Sequence, residues 1–362
     1  QGDAGLVMLD SMDQFLNNYQ SQTRLSQQAL MAEYIGNAEL AVAYAQDLLE
    51  QDNLDQNIVL DMTGILLRNG NADDGMLWIK RLGLPFPRAR MLAEIESGES
   101  PLLKSPDVIN LIATGIVTSQ IDPMQQSYQP ISLARLYLAA YLDSNNDYAK
   151  YLIAESYIEA GLTDDGVAML SLIPDHSVWY PEARINMAVA LRSESGQGSL
   201  ALTIINDLLD DYPENPLIWA EKALTAQRNQ HHAEAEKAFS KAMSLGLNNG
   251  RMLYYLAIAQ ADQGKDDLAE TSFRKSIEQA PFNPYSLNYF GYWLIEKNRG
   301  FEEAKSYIQK AVDKQPENGA FVDSLGWVYF KMGDYINALF YLERAAMLIP
   351  DDPVITDHLG DV

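Results

Sequence analysis

Four histidines (His176, His231, His232 and His358) and fifty carboxylates are the side chains in this chain most able to carry acid–base or metal chemistry. Neither set is spaced for it. His231-His232 fall in a turn between two helices, where the expectation is a solvated surface pair. Asp143-Ser-Asn-Asn-Asp147 imitates the opening of a calcium loop. Tyr148 stands where that loop needs glycine, however, and Ala154 where a bidentate acid would close it, so the segment is expected to be a helix-capping turn. Gly264-Lys265 has no glycine five residues ahead and no hydroxyl residue after it, which rules out a phosphate loop. Neither Gly-x-Ser-x-Gly nor His-Glu-x-x-His occurs. With no cysteine in the chain, disulfides, thiolate metal sites and cysteine nucleophiles are excluded. The expectation is no catalysis, no metal and no cofactor.

Composition narrows the partners instead. The formal charge is -24, from 50 acidic and 26 basic residues in 362, and the acidity is spread along the chain. Such a surface repels phosphates, so nucleic acid and bare anionic membrane are not expected partners. A basic protein or peptide is attracted, weakly at physiological salt. No apolar run approaches the ~18 residues of a membrane span, and any lipid anchor lies outside this chain. The chain opens on Gln1 without a signal peptide, as a mature form or excised fragment would.

What the sequence does contain is a repeat. Pro213, Pro281, Pro316 and Pro350 end apolar stretches at intervals of 68, 35 and 34, and Leu247 fills the missing position. A unit of about 34 residues therefore starts at Glu182, Pro216, Gly250, Pro284 and Gly319. The unit at Pro284 is one residue longer, in the turn around Asn298-Arg299-Gly300. In this frame Ala201, Ala235, Ala269, Ala304 and Ala338 share one position of a second helix, with bulky Ile205, Phe239, Phe273, Ile308 and Leu342 four residues on. First helices carry Ala223, Ala257, Gly291 and Gly326 at one place. Two antiparallel helices joined by a tight turn need small residues where their axes approach and large ones beside them. Proline then stops the second helix. Each pair buries too little alone, so neighbours stack.

The stretch from Asp323 through Gly326, Trp327, Gly333, Tyr335 and Ala338 to Ala345 resembles a tetratricopeptide repeat with nearly every signature position filled. The likeness covers residues 147–362 well. It implies an all-α, right-handed superhelical solenoid of about eight antiparallel helix pairs, working as a protein-interaction scaffold. The recurrence of Asn288-Tyr-Phe-Gly-Tyr-Trp-Leu, Asp323-Ser-Leu-Gly-Trp-Val-Tyr and Asp357-His-Leu-Gly-Asp is similar to large bacterial repeat proteins. Several of these are envelope-associated, which implies a periplasmic setting, with the cytoplasm as the alternative. The expected organisation is an N-terminal helix or cap over 1–21 (Leu6, Leu9, Met12, Leu16), degenerate pairs over 22–84 and an irregular joint with one pair over 85–146. A regular array follows over 147–352, and a further repeat begins over 353–362. A lone first helix leaves an apolar face uncovered, so the pattern expects the natural chain to continue past Val362.

In such a unit, positions 2, 5, 9 and 12 of the first helix line the concave surface. From Gly250 onward these positions supply Arg251, Tyr254, Ile258, Tyr285, Asn288, Tyr292, Asp323, Trp327 and Phe330, whereas earlier units offer Ala183, Asn186 and Ala190. Tyrosine and tryptophan beside one arginine is the composition of a binding hot spot, and this groove is the candidate site for a peptide or folded partner. Family members that grip a C-terminal carboxylate use lysine at position 5 and asparagine at position 9. Here position 5 holds Tyr254, Asn288 and Asp323, and position 9 holds Ile258, Tyr292 and Trp327, so that clamp is absent. Two other readings stand beside the scaffold: a structural subunit of a larger bacterial envelope complex, with the aromatics in its core, and a non-catalytic domain of a longer enzyme.

Overall fold

The computed structural model describes residues 21–51, 54–82, 87–118, 130–194 and 196–362. The helix expected at Leu6–Leu16 lies outside these residues, as do Leu84-Pro-Phe and the stretch 119–129. Twenty α-helices and no strand occur among the described residues, and the chain divides between Ile218 and Trp219 into two compact units.

The first unit contains α1 (Ser21–Tyr34), α2 (Ala38–Leu49), α3 (Gln56–Arg68), α4 (Ala72–Arg81), α5 (Arg88–Ser97), α6 (Val108–Thr118), α7 (Pro130–Leu142), α8 (Asp147–Glu159), α9 (Thr163–Leu170), α10 (Tyr180–Ser193) and α11 (Gly198–Asp211). Its pairs are α1/α2, α3/α4, α6/α7, α8/α9 and α10/α11, and α5 stands alone. Helix α12 (Pro216–Arg228) carries the boundary. The second unit continues with α13 (His232–Ser244), α14 (Gly250–Ala261), α15 (Asp266–Gln279), α16 (Pro284–Glu296), α17 (Phe301–Lys314), α18 (Gly319–Lys331), α19 (Tyr335–Leu348) and α20 (Pro353–Asp361). First helices open at Pro216, Gly250, Pro284 and Gly319, the positions set by the 34-residue frame.

Three local signals make each pair. An asparagine or aspartate stands just before the first helix and caps it. Asn249 accepts from Met252 N at 3.0 Å, Asn283 from Tyr285 N at 3.0 Å, and Asp352 from Val354 N at 2.9 Å, each satisfying one of the N–H groups the helix leaves over. Asn146 caps α8 the same way, through Ala149 N at 2.9 Å, and completes the capping turn read at Asp143–Asp147. One residue in the turn between the two helices then takes the left-handed conformation: Gly36, Gly70, Gly161, Gly196, Gly264 and Gly333, but Gln230 (φ 62°) and Asn298 (φ 53°) in two units. The third signal is close approach. A Cβ on Gly291 would meet Ile308 at 2.6 Å and the Ala304 carbonyl at 2.9 Å, and one on Gly326 would meet Leu342 at 2.6 Å. Ala235, Ala269, Ala304 and Ala338 are fully buried opposite them.

The first unit is held by polar contacts as well. Arg68 grips Glu33 with two hydrogen bonds (2.8 and 2.6 Å) and reaches the Leu102 carbonyl at 2.8 Å. Arg90 of the unpaired helix α5 donates to the carbonyls of Asp175, His176 and Ser177 and to the Tyr212 hydroxyl. Burial pushes two carboxyls here up to about 7: Asp61, with Asp55 and Glu33 adding to the rise and Arg68 opposing it, and Glu182, beside Glu155.

Two predictions follow from these details. A non-glycine residue in the left-handed region costs roughly 1–2 kcal/mol, so Gln230→Gly raises stability by about 1 kcal/mol, read from the urea midpoint. Because the fold keeps Asp61 and Glu182 protonated to higher pH than the unfolded chain does, the unfolded state loses protons first as pH rises. Their contribution to stability therefore falls between about pH 4 and 7 and is level above that. The first unit is expected to unfold at lower urea at pH 7.5 than at pH 5.5, and Asp61→Asn with Glu182→Gln to flatten that slope. An unchanged slope in the double variant defeats the assignment.

Candidate partner-binding face

In the second unit, α14, α16 and α18 line one face, and each is overlaid by the first helix that follows it. The sixth residue of the following helix does the covering. Tyr289 of α16 meets Tyr254 of α14 edge-on, with ring centres 5.7 Å apart. His358 of α20 stacks on Trp327 of α18 at 3.9 Å, and its Nδ1 lies 3.0 Å from both carboxylate oxygens of Asp323. Between these two, the sixth residue of α18 is Ser324, a small side chain whose hydroxyl turns back to the Ala320 carbonyl at 3.0 Å.

This difference sorts the nine candidate residues. Arg251 is exposed, its guanidinium 5.8 Å above the Tyr255 ring. Tyr285 is 56% exposed and touches Phe321 edge-on at 5.5 Å. Tyr254, Ile258, Asn288 and Tyr292 are half-buried along the same face. Among the described residues Asn288 Oδ1 has no hydrogen-bond partner. Burial, with Glu296 and Asp323 adding to it, pushes the Tyr292 hydroxyl up to about 12, and burial raises that of Tyr254 further. Tyrosines that stay neutral present apolar rings and a donating hydroxyl.

Asp323 and Trp327 depart from the exposure the sequence suggested: they are 5% and 7% exposed. Trp327 Nε1 donates to Glu296 Oε1 at 3.1 Å, Lys331 lies 4.5 Å from its ring centre, and half-buried Phe330 stacks on it at 4.9 Å. These residues form a polar–aromatic seat for α20. The sequence pattern of positions 2, 5, 9 and 12 places neither Ser324 nor His358 on this face. The signal that finds them is their shared register with Tyr255 and Tyr289, at position 6 of their helices.

Among the described residues no three histidine, cysteine or carboxylate side chains converge as metal ligands, and no helix is long and apolar enough to cross a membrane. Fold and face together define an all-α helix-pair repeat protein with an open surface on its first helices. Residues 220–284 and 323–352 match family models of the tetratricopeptide repeat, and the chain carries tetratricopeptide repeats. It is similar to the TPR repeat-containing protein PA4667 of Pseudomonas aeruginosa, with 29% identity over 142 residues. That match takes in 39% of this chain, which spans only 24% of the relative's length. Among solved structures it is similar to the APC/C hetero-tetramer Cut9–Hcn1 (13% identity, TM-score 0.55, 91% of this chain and 74% of that one). Pseudomonas aeruginosa pilF is similar too (16% identity, TM-score 0.50, 61% of this chain and 99% of that one). At these identities the structures establish the fold alone.

The seat of α20 is testable. His358→Ala leaves Asp323 buried without its partner, which costs roughly 1–3 kcal/mol. Faster amide exchange is expected over 353–361 than in α14–α17, with a red-shifted tryptophan emission that is absent in a Trp327→Phe background. Unchanged exchange in α20 contradicts the seat.

Proposed function

We propose that the chain is a non-catalytic interaction scaffold that holds a peptide segment of a partner protein on the Arg251–Tyr292 face. The observation that carries this reading is the row of exposed Arg251 and Tyr285 with half-buried Tyr254, Asn288 and Tyr292 along one face, where Ser324 stands in the register that Tyr289 and His358 fill elsewhere. The amide nitrogen of Asn288 can donate to a peptide carbonyl. The flanking rings of Tyr254, Tyr285 and Tyr292 offer apolar area at low entropic cost, and exposed Arg251 suits a carboxylate or a main-chain carbonyl. A preformed groove of this kind needs little rearrangement to bind. The envelope setting rests on the sequence resemblance, and a chain without cysteine suits the cytoplasm equally.

The test is selection of peptides from a displayed library against the whole chain, followed by titration of the enriched sequences. Tyr292→Ala and Asn288→Ala are each expected to weaken binding at least about tenfold, and exposed Arg251→Ala less. Enriched peptides that bind both variants as tightly as the parent chain defeat the proposal.

A further inference from the structure

In the second unit, the outer face of the second helices carries a single departure from the repeat. Three positions there, the second, sixth and thirteenth of each second helix, point to solvent. They read Ala233, Lys237 and Ser244 in α13, Asp267, Thr271 and Glu278 in α15, and Glu302, Ser306 and Asp313 in α17, all exposed although another helix pair stacks beyond each of these helices. In α19 the same positions are Ile336, Phe340 and Met347, exposed by 85%, 60% and 75%. Stacking of a further unit covers a different position: Glu236 and Glu270 receive Lys265 and Arg299 from the next turn, and Leu339 holds that place in α19. The apolar character of Ile336, Phe340 and Met347 is thus not accounted for by repeat stacking.

We propose that this stripe is a docking ridge for an amphipathic helix of another protein, apolar along one side and basic beside it. The spacing i, i+4, i+11 is one face of a helix and presents a ridge of side chains to a partner helix. Exposed Glu343 lies within the stripe, and among the described residues no cation pairs with it. Arg344, the one basic residue of α19, is turned away to the Pro316 carbonyl and Glu317. Exposed Asp351 follows the helix, whose C-terminal end adds partial negative charge. An apolar stripe with Glu343 within it and Asp351 at its end calls for lysine or arginine on the partner. A second copy of this chain fits poorly: antiparallel pairing of two α19 helices brings the Glu343 side chains within about a turn of each other, between two chains of charge -24.

A synthetic helix of roughly three heptads, leucine along one face and lysine flanking it, is the probe. Titrated against the whole chain, it is expected to bind. Ile336→Ser with Phe340→Ser and Met347→Ser weakens it at least about tenfold, as does Glu343→Lys, whereas Tyr292→Ala on the inner face leaves it unchanged. All four outer residues are exposed, and an unaltered helical circular dichroism spectrum accompanies the loss. Three results overturn the proposal: equal binding by the triple variant, equal binding of a probe with glutamate in place of lysine, and a dimer of the parent chain in sedimentation that the triple variant abolishes. Loss by the triple variant of co-sedimentation with phosphatidylcholine vesicles would reassign the ridge to lipid.

Discussion

The distance between the two helices of each pair sets everything else. At Gly291 and Gly326 the second helix passes so close that even a Cβ would collide with its side chains, and at Gly291 with its backbone as well. Ala304 and Ala338 lie across the same gap with no exposed surface. Interiors are close-packed, so the small residues and the bulky Ile308 and Leu342 beside them are two halves of one fit. Widening one pair would shift its first helix against the next, and the register of the stack would go with it. This is why the small–large pattern recurs from Ala201 through Ala338 while the solvent-facing positions drift freely.

Contacts between successive units are of two kinds. On the turn side, acids of one second helix meet cations from the next unit (Glu236 with Lys265, Glu270 with Arg299, Asp266 with Lys297), and Glu303 reaches back to Arg274 of the unit before. Exposed pairs of this kind contribute about 0–1 kcal/mol each, so they tune register more than stability. They also engage several of the few basic residues of the second unit, which leaves the surplus acids to set the charge a partner meets. On the groove side, the sixth residue of a first helix can pack on the one before, as Tyr289 does on Tyr254 and His358 on Asp323 and Trp327. Burial there is far deeper, and the choice of side chain decides whether the face is closed or open.

The repeat frame was legible because it is periodic. Pro216, Gly250, Pro284 and Gly319 could be located from proline spacing and small residues alone, and the added residue of the fourth turn sits where Asn298 takes a left-handed conformation. What escaped the sequence reading couples residues a full unit apart. Trp327 looks exposed within its own helix, but His358, 31 residues later, stacks on its ring, and Glu296, 31 residues earlier, accepts from its indole N–H. Ser324 looks unremarkable until Tyr289 and His358 show what its position usually holds. In the first unit the obstacle is different. Helix α5 belongs to no pair and is tied down by one arginine on three carbonyls, a contact with no period and no compositional signature.

A solenoid whose stability rests on interior positions leaves its inner and outer faces free to vary, and a residue on either face that matches the repeat average carries little information about a partner. Departures from that average carry more. Ser324 departs by being small where Tyr289 and His358 stand in the neighbouring units, and Asn288 of the helix before it keeps a buried Oδ1 without a hydrogen-bond partner among the described residues. Ile336, Phe340 and Met347 depart by being apolar where three preceding helices place no large apolar side chain. Exposed apolar area costs solubility, and burying it against a partner recovers roughly 25 cal/mol per Å². The two departures lie on the inner and outer helices of one pair, α18 and α19, and involve no residue in common, so each surface can change without disturbing the other or the packing that holds both.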